Sequence, residues 1–222
     1  MKFNINNYQP KSVREVIFGN PDSARAIGDI VTGRKEIPPM RGGKNGILLY
    51  GLWGTGKTTL AKLLPGAIEH AKTQESPEDI FYDFIQCQMG DLSGPQLMRQ
   101  IDTTSNYMSA NSSGYHYFVL DEVDNLTDAA QASLKAMMNK PTTIYILTTN
   151  YFDKIERGII NRCVTVEMNA APATAWLGFS KKVLADAGVN DVTDQSVLEL
   201  LKTCHGSARN VLDELQSVIA QY

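Results

Sequence analysis

No stretch of this chain stays apolar for the roughly 18 residues that crossing a bilayer requires, and the opening Met1-Lys2-Phe3-Asn4-Ile5-Asn6-Asn7 lacks the apolar core of a secretory signal. No membrane association and a cytoplasmic address are therefore expected. Cysteine is scarce. Cys87, Cys163 and Cys204 stand far apart, with no C-x-x-C pair and no histidine at ligand spacing, so neither a disulfide framework nor a zinc site is expected, and buried thiols are. Internal repeats and low-complexity tracts are absent, which with 20% charged residues excludes solenoid, collagen-like and disordered chains. Excess charge of either sign is missing too: the net charge is −3. It is unevenly spread, at +6 over residues 1–62, −7 over 63–168 and −2 over 169–222. A chain this acidic cannot coat nucleic acid with its whole surface, so such a contact must be local or shared among subunits.

What is present is a 222-residue chain with 43% hydrophobic residues, enough for one core, or one core and a satellite of about 50 residues. Five short apolar, β-branched or aromatic runs recur at Gly46–Tyr50, Ile80–Cys87, Tyr115–Leu120, Thr142–Leu147 and Cys163–Met168. Helical patterns at Thr58–Ala71, Gly94–Met108 and Ala129–Asn139 alternate with them, which predicts an α/β fold with a five-stranded parallel sheet covered on both faces. After the break at Ala171-Pro172 no strand-like run follows. Three helical stretches remain, Thr174–Ala187 before Gly188, Asp194–Cys204 with Asp194 as N-cap, and Ser207–Gln221. The division expected is a core over 1–168 and a small all-helical lid over 169–222.

Gly51-Leu52-Trp53-Gly54-Thr55-Gly56-Lys57-Thr58 matches G-x-x-x-x-G-K-[ST] between a predicted strand and a predicted helix, which is the context a phosphate loop needs. Its glycines let successive N–H groups point inward. Lys57 can reach the β- and γ-phosphates and Thr58 can offer its hydroxyl to Mg²⁺, while the helix N-terminus favours an anion. In Tyr117-Phe118-Val119-Leu120-Asp121-Glu122-Val123-Asp124 a buried strand delivers Asp121 to the same sheet edge, where it can hold Mg²⁺ through water. Glu122, next along, can activate a water for attack on the γ-phosphate. Ile146-Leu147-Thr148-Thr149-Asn150 brings an amide to that edge; Asn150 can hold the attacking water or a phosphate oxygen, or it is an ordinary turn asparagine.

In this order the motifs resemble the AAA+ ATPases, and within them the clamp-loader branch, the small subunits of replication factor C and the bacterial and phage loader ATPases. The similarity runs from about Tyr8 to about Leu215. Tyr8-Gln9-Pro10, continuing through Ile17-Phe18-Gly19, is similar to the family's adenine-contacting segment, so the resemblance implies an ATP site formed by Tyr8, Pro10, Ile17, Phe18, Gly51, Gly54, Thr55, Gly56, Lys57, Thr58 and Thr59. Gly206-Ser207-Ala208-Arg209-Asn210 resembles the opening of the last lid helix, with Arg209 as sensor 2. Asn161-Arg162-Cys163 stands where the branch has Ser-Arg-Cys, implying that Arg162 faces a neighbouring subunit's nucleotide as an arginine finger. Leu92-Ser93-Gly94-Pro95-Gln96-Leu97-Met98-Arg99 resembles a loader segment that opens a helix toward DNA; Arg99 and Lys135 are the phosphate-contact candidates, with solvated helix surface as the alternative. The basic loop Arg34-Lys35…Arg41…Lys44 reads first as a solvated loop.

The implied function is a Mg²⁺-dependent ATPase acting on DNA, with other AAA+ subunits, DNA and a sliding clamp as candidate partners. A different AAA+ DNA-processing ATPase, or a nucleotide-gated scaffold with negligible hydrolysis, are the alternatives. Against the family's pattern, the helical collar that follows the lid has no counterpart within these 222 residues, the bacterial four-cysteine zinc module is missing and Asn161 replaces serine. Tyr107, Tyr115 and Tyr117 read as packing residues.

Overall fold

A computed structural model describes residues 4–39, 43–87 and 94–221. Arg41, Leu92 and Ser93, named above, lie outside the described residues. Five strands, β1 (Gly46–Tyr50), β2 (Asp83–Gln86), β3 (His116–Asp121), β4 (Thr143–Thr149) and β5 (Cys163–Glu167), form one parallel sheet in the order β2-β3-β4-β1-β5. Helices α1 (Pro21–Val31), α2 (Lys57–Thr73), α3 (Pro95–Ser105), α4 (Asp128–Met137) and α5 (Arg157–Asn161) cover it.

The two-residue period of a strand sorts the core. Leu48, Phe118, Leu120, Tyr145 and Leu147 face α3, α4 and α5, where Leu97, Ile101, Leu134 and Ile159 close over them. Their neighbours Ile47, Leu49, Val119, Ile144 and Ile146 face α1 and α2, against Ile27, Ile30, Leu60 and Leu64. Both faces are buried, which is why these strands read as continuous apolar runs. A third core collects Trp176, Val183, Leu184, Val197, Leu201, Val211 and Leu215 from α6 (Ala173–Asp186), α7 (Asp194–Thr203) and α8 (Ala208–Ile219). Ile5, Tyr8 and Ile17, from the start of the chain, pack against that third core.

Several expectations need correction. The sequence reading contains no counterpart of α1, although Asn20 caps it by accepting the Asp22 N–H at 2.9 Å and Pro21 occupies its first position. The run from Ile80 becomes a strand only at Asp83, because the Phe81 backbone is taken by a side chain: its N–H donates to Asn111 Oδ1 and its carbonyl accepts from Asn111 Nδ2, both at 2.9 Å. Asp194 is not the cap of α7 but lies in its first turn; Thr193 is the cap, its hydroxyl accepting the Ser196 N–H at 3.2 Å. Tyr117 is core and Tyr115 packs beside it, whereas Tyr107 is 71% exposed and packs as neither. All three cysteines are free and buried, and burial pushes the Cys87 and Cys163 thiols up to about 12.

Candidate nucleotide site

The C-terminal ends of β1, β3 and β4 meet at one edge of the sheet, beside the point where the strand order reverses, and this is where parallel α/β sheets bind ligands. Beyond β1 the chain turns tightly into α2. Gly51 has φ +139° and lies against β5, where an added Cβ would come 2.5 Å from the Met168 carbonyl. Gly54 has φ +75°, and a Cβ there would collide with the Ser207 hydroxyl. Only glycine satisfies both constraints.

Lys57, 7% exposed, folds back over the loop and donates to the carbonyls of Gly51 at 2.9 Å and Leu52 at 2.5 Å. Burial pulls its ammonium down to about 8, against the opposing pull of Asp121, Asp124 and Glu122. Thr58 donates to Asp121, 2.8 Å from Oδ1 and 3.1 Å from Oδ2. Glu122 follows in the left-handed region at φ 58°, ψ 50°, which turns the chain out of the strand. Asp124 Oδ1 accepts from the Thr149 hydroxyl at 2.7 Å and from the Asn150 N–H at 3.4 Å, tying the end of β4 to the acidic run.

Lys57, Thr58, Glu122 and Asn150 open on a cavity of about 400 Å³. Of the residues expected there, Tyr8, Pro10, Ile17, Gly54, Thr55, Gly56, Lys57, Thr58, Thr59, Glu122, Asn150 and Arg209 line it. Tyr8 donates to Asp186 Oδ2 at 2.9 Å, joining the N-terminal segment to α6. The far wall is helical: Trp176 and Phe179 come from α6, and Ala208, Arg209 and Leu212 from α8. The Ala208 N–H donates to the Gly54 carbonyl at 2.8 Å, so the N-terminus of α8 sits on the phosphate loop itself. Arg209, exposed on that turn, makes no hydrogen bond or ion pair among the described residues.

A family profile described as "ATPase family associated with various cellular activities (AAA)" matches residues 47–169. The chain belongs to the AAA family. Among curated relatives, the replication factor C small subunit of Thermoplasma volcanium is 29% identical over 217 residues, covering 95% of this chain and 62% of the relative. That of Halobacterium salinarum is 27% identical over 224 residues, covering 97% and 62%; replication factor C subunit 4 of Caenorhabditis elegans is 25% identical over 231 residues, covering 96% and 65%. This AAA chain thus spans less than two thirds of the length of these relatives. The solved RuvB Holliday junction branch migration motor of Thermotoga maritima shares the fold, with a TM-score of 0.71 at 16% identity over 95% of this chain and 65% of that one. A P-loop on this fold is a nucleotide-binding site.

Phe18, Gly51 and Asp121, expected at this cavity, do not line it, and the residues expected to act outside it lie elsewhere. Phe18 turns into the core beneath α1 and α2, and Val16 lines the cavity instead. Arg162 stands at the opposite edge of the sheet: the Gly46 N–H donates to its carbonyl at 3.1 Å, a full strand of about 15 Å from the phosphate loop. Its guanidinium donates to Asn139 Oδ1 at 3.0 Å and to the Gly158 carbonyl at 2.9 Å, so it does not join its own chain's cavity. Lys135 is paired with Glu156 at 3.1 Å, and Arg99 is exposed on α3. Arg34, Lys35 and Lys44 are exposed, with Arg34 paired to Asp29 at 3.0 Å. Gly51 shapes the loop from behind and gives Lys57 its acceptor.

Sequence reasoning missed Trp53, Trp176, Phe179 and Leu212 as lining residues. Trp53, 58% exposed, meets Tyr151 edge-to-face with ring centroids 5.8 Å apart, at the mouth of the cavity beside Asn150. Being the residue after Asn150, Tyr151 carried a positional signal; the α6 residues carried none, because only the packing of the helical unit brings them there.

Proposed function

We propose that this chain binds ATP with Mg²⁺ and hydrolyses it to ADP and phosphate as one subunit of a AAA assembly acting on DNA, in the manner of a clamp-loader ATPase of replication. The observation that carries this reading is the convergence of Lys57, Thr58, Glu122, Asn150 and Arg209 on one cavity, with Asp121 hydrogen-bonded behind Thr58. The similarity to replication factor C small subunits supports the choice of process.

In this reading the loop N–H groups and Lys57 bind the phosphates. Tyr8, Pro10 and Ile17 bound the base. The donor set beside the phosphates, a threonine hydroxyl and a carboxylate 5% exposed, is all oxygen and suits a hard divalent cation, so Thr58 and Asp121 would hold Mg²⁺, which supplies charge neutralisation between the phosphates. Glu122 takes a proton from the attacking water, Asn150 orients it, and Arg209 meets the γ-phosphate from the lid. Arg162 acts in trans on a neighbouring subunit's nucleotide. Arg99 is the DNA-phosphate contact the reading retains, since the ammonium of Lys135 is engaged with Glu156.

The test is ATP turnover by the purified chain with and without primed DNA, and with a sliding clamp as a third arm. Turnover that DNA stimulates, with a further gain from the clamp, is the expected result. Nucleotide binding with no turnover under any of these conditions would replace the enzyme with a nucleotide-gated scaffold. For DNA contact, Arg99→Ala should weaken binding equally on all sequences and lower the slope of log affinity against log salt by about one.

A further inference from the structure

β3 and β4 pair in parallel with Leu120 opposite Leu147, so the next residues, Asp121 and Thr148, reach the sheet edge side by side. Thr148 is 1% exposed. A hydroxyl offers one proton and two lone pairs, and both kinds of capacity are used here. The proton is directed to Asp121 Oδ1 at 2.6 Å, and the oxygen accepts the Glu122 N–H at 2.9 Å. That N–H belongs to a non-glycine residue in the left-handed region, a strained conformation that persists only where its surroundings hold it.

We propose that Thr148 is a positioning residue for hydrolysis: its single hydroxyl sets the rotamer of Asp121 and the backbone of Glu122 together, holding the metal-side and water-side carboxylates in fixed relation. This rests on the ATPase reading above. Asp121 is gripped from two sides, by Thr58 on the phosphate loop and by Thr148 on β4. The following residue repeats the device, with Thr149 donating to Asp124. Packing does not account for a hydroxyl here, since valine has the same shape and suits a buried strand at least as well. The acidic run leaves β3 through a left-handed turn, and a 1 Å error in where Glu122 points is enough to cost about a hundredfold in rate.

The test compares Thr148→Val, which keeps shape and loses the hydroxyl, with Thr148→Ser, which keeps the hydroxyl and loses a methyl. Thr148→Val should lower kcat by about 10- to 100-fold with KM for ATP within about threefold, and Thr148→Ser should recover kcat to within about threefold. In the nucleotide-free chain, exchange of the Glu122 amide, read by NMR, should be slow in wild type and Thr148→Ser and at least tenfold faster in Thr148→Val. Thr148→Ala takes the place of the valine variant should that one fail to fold. Unchanged kcat and unchanged amide exchange in Thr148→Val overturn the assignment, as does a serine variant as impaired as the valine one, which would make the site a matter of packing. If wild type binds ATP without turning it over, the amide exchange alone decides whether the hydroxyl holds Glu122, while the enzymatic reading fails separately. A wild-type chain that neither binds nor hydrolyses ATP overturns both.

Discussion

Lys57 carries a charge in a place that disfavours it. Its folded-state pKa lies near 8, below the ordinary 10.5, so the folded chain binds fewer protons than the unfolded chain between those values. Ligand-free stability should therefore rise with pH from about 8 to about 10.5, and Lys57→Met should remove that slope in urea midpoints measured across the window. Nucleotide shows the opposite sign. A polyphosphate demands the ammonium, so above pH 8 binding must take up a proton, and affinity should fall by up to about tenfold per pH unit. Calorimetry in buffers of different ionisation heat reads that uptake directly. The role proposed for Glu122 begins only once water attacks. Glu122→Gln should bind ATP with wild-type affinity and lower turnover at least about a hundredfold, leaving ATP intact on the protein in a filter-binding assay.

Among the elements, α8 bears most on the site. Its first N–H is bonded to the Gly54 carbonyl and its cap, Ser207, occupies the space a Gly54 Cβ would need. Gly54→Ala should push the helix off the loop and weaken ATP binding at least about tenfold, while far-UV circular dichroism stays unchanged because α8 keeps its own core. The strands and the phosphate loop were legible in the sequence because both faces of the sheet are buried and Gly51 through Thr58 is a local motif with a local shape. Helix α1 carried its own signals, Asn20, Pro21 and Asp22, and was still missed, since its buried stripe of Ser23, Ile27 and Ile30 is too short to stand out as a period. Phe18 was assigned to the base by its neighbours, yet it packs inward while Ile17 faces the helical unit; adjacent residues on a turning backbone point in different directions. The helical wall of the cavity was illegible for a different reason: Trp176 and Leu212 approach Lys57 only through packing between distant segments.

At the scale of the whole molecule, the sheet separates two halves of one proposed reaction. The phosphate loop lies at one edge and Arg162 at the other, so if the proposed finger role holds, a lone chain does not complete its own site. Specific turnover should accordingly rise with protein concentration. Arg162→Ala should bind ATP normally and lose about a thousandfold in kcat. Mixing Arg162→Ala with Lys57→Ala should restore part of the activity, because one variant supplies the finger and the other the intact loop; a mixture as inactive as its components would place the arginine outside the reaction. The cavity wall has one more consequence, a spectroscopic one. The chain holds two tryptophans, Trp53 and Trp176, and both line this cavity, one 58% exposed at its mouth and the other 7% exposed in its wall. All the indole emission of the protein thus originates at the candidate site, from one red-shifted and one blue-shifted emitter, so unlabelled protein reports occupancy of the mouth and movement of the wall as two separate colours.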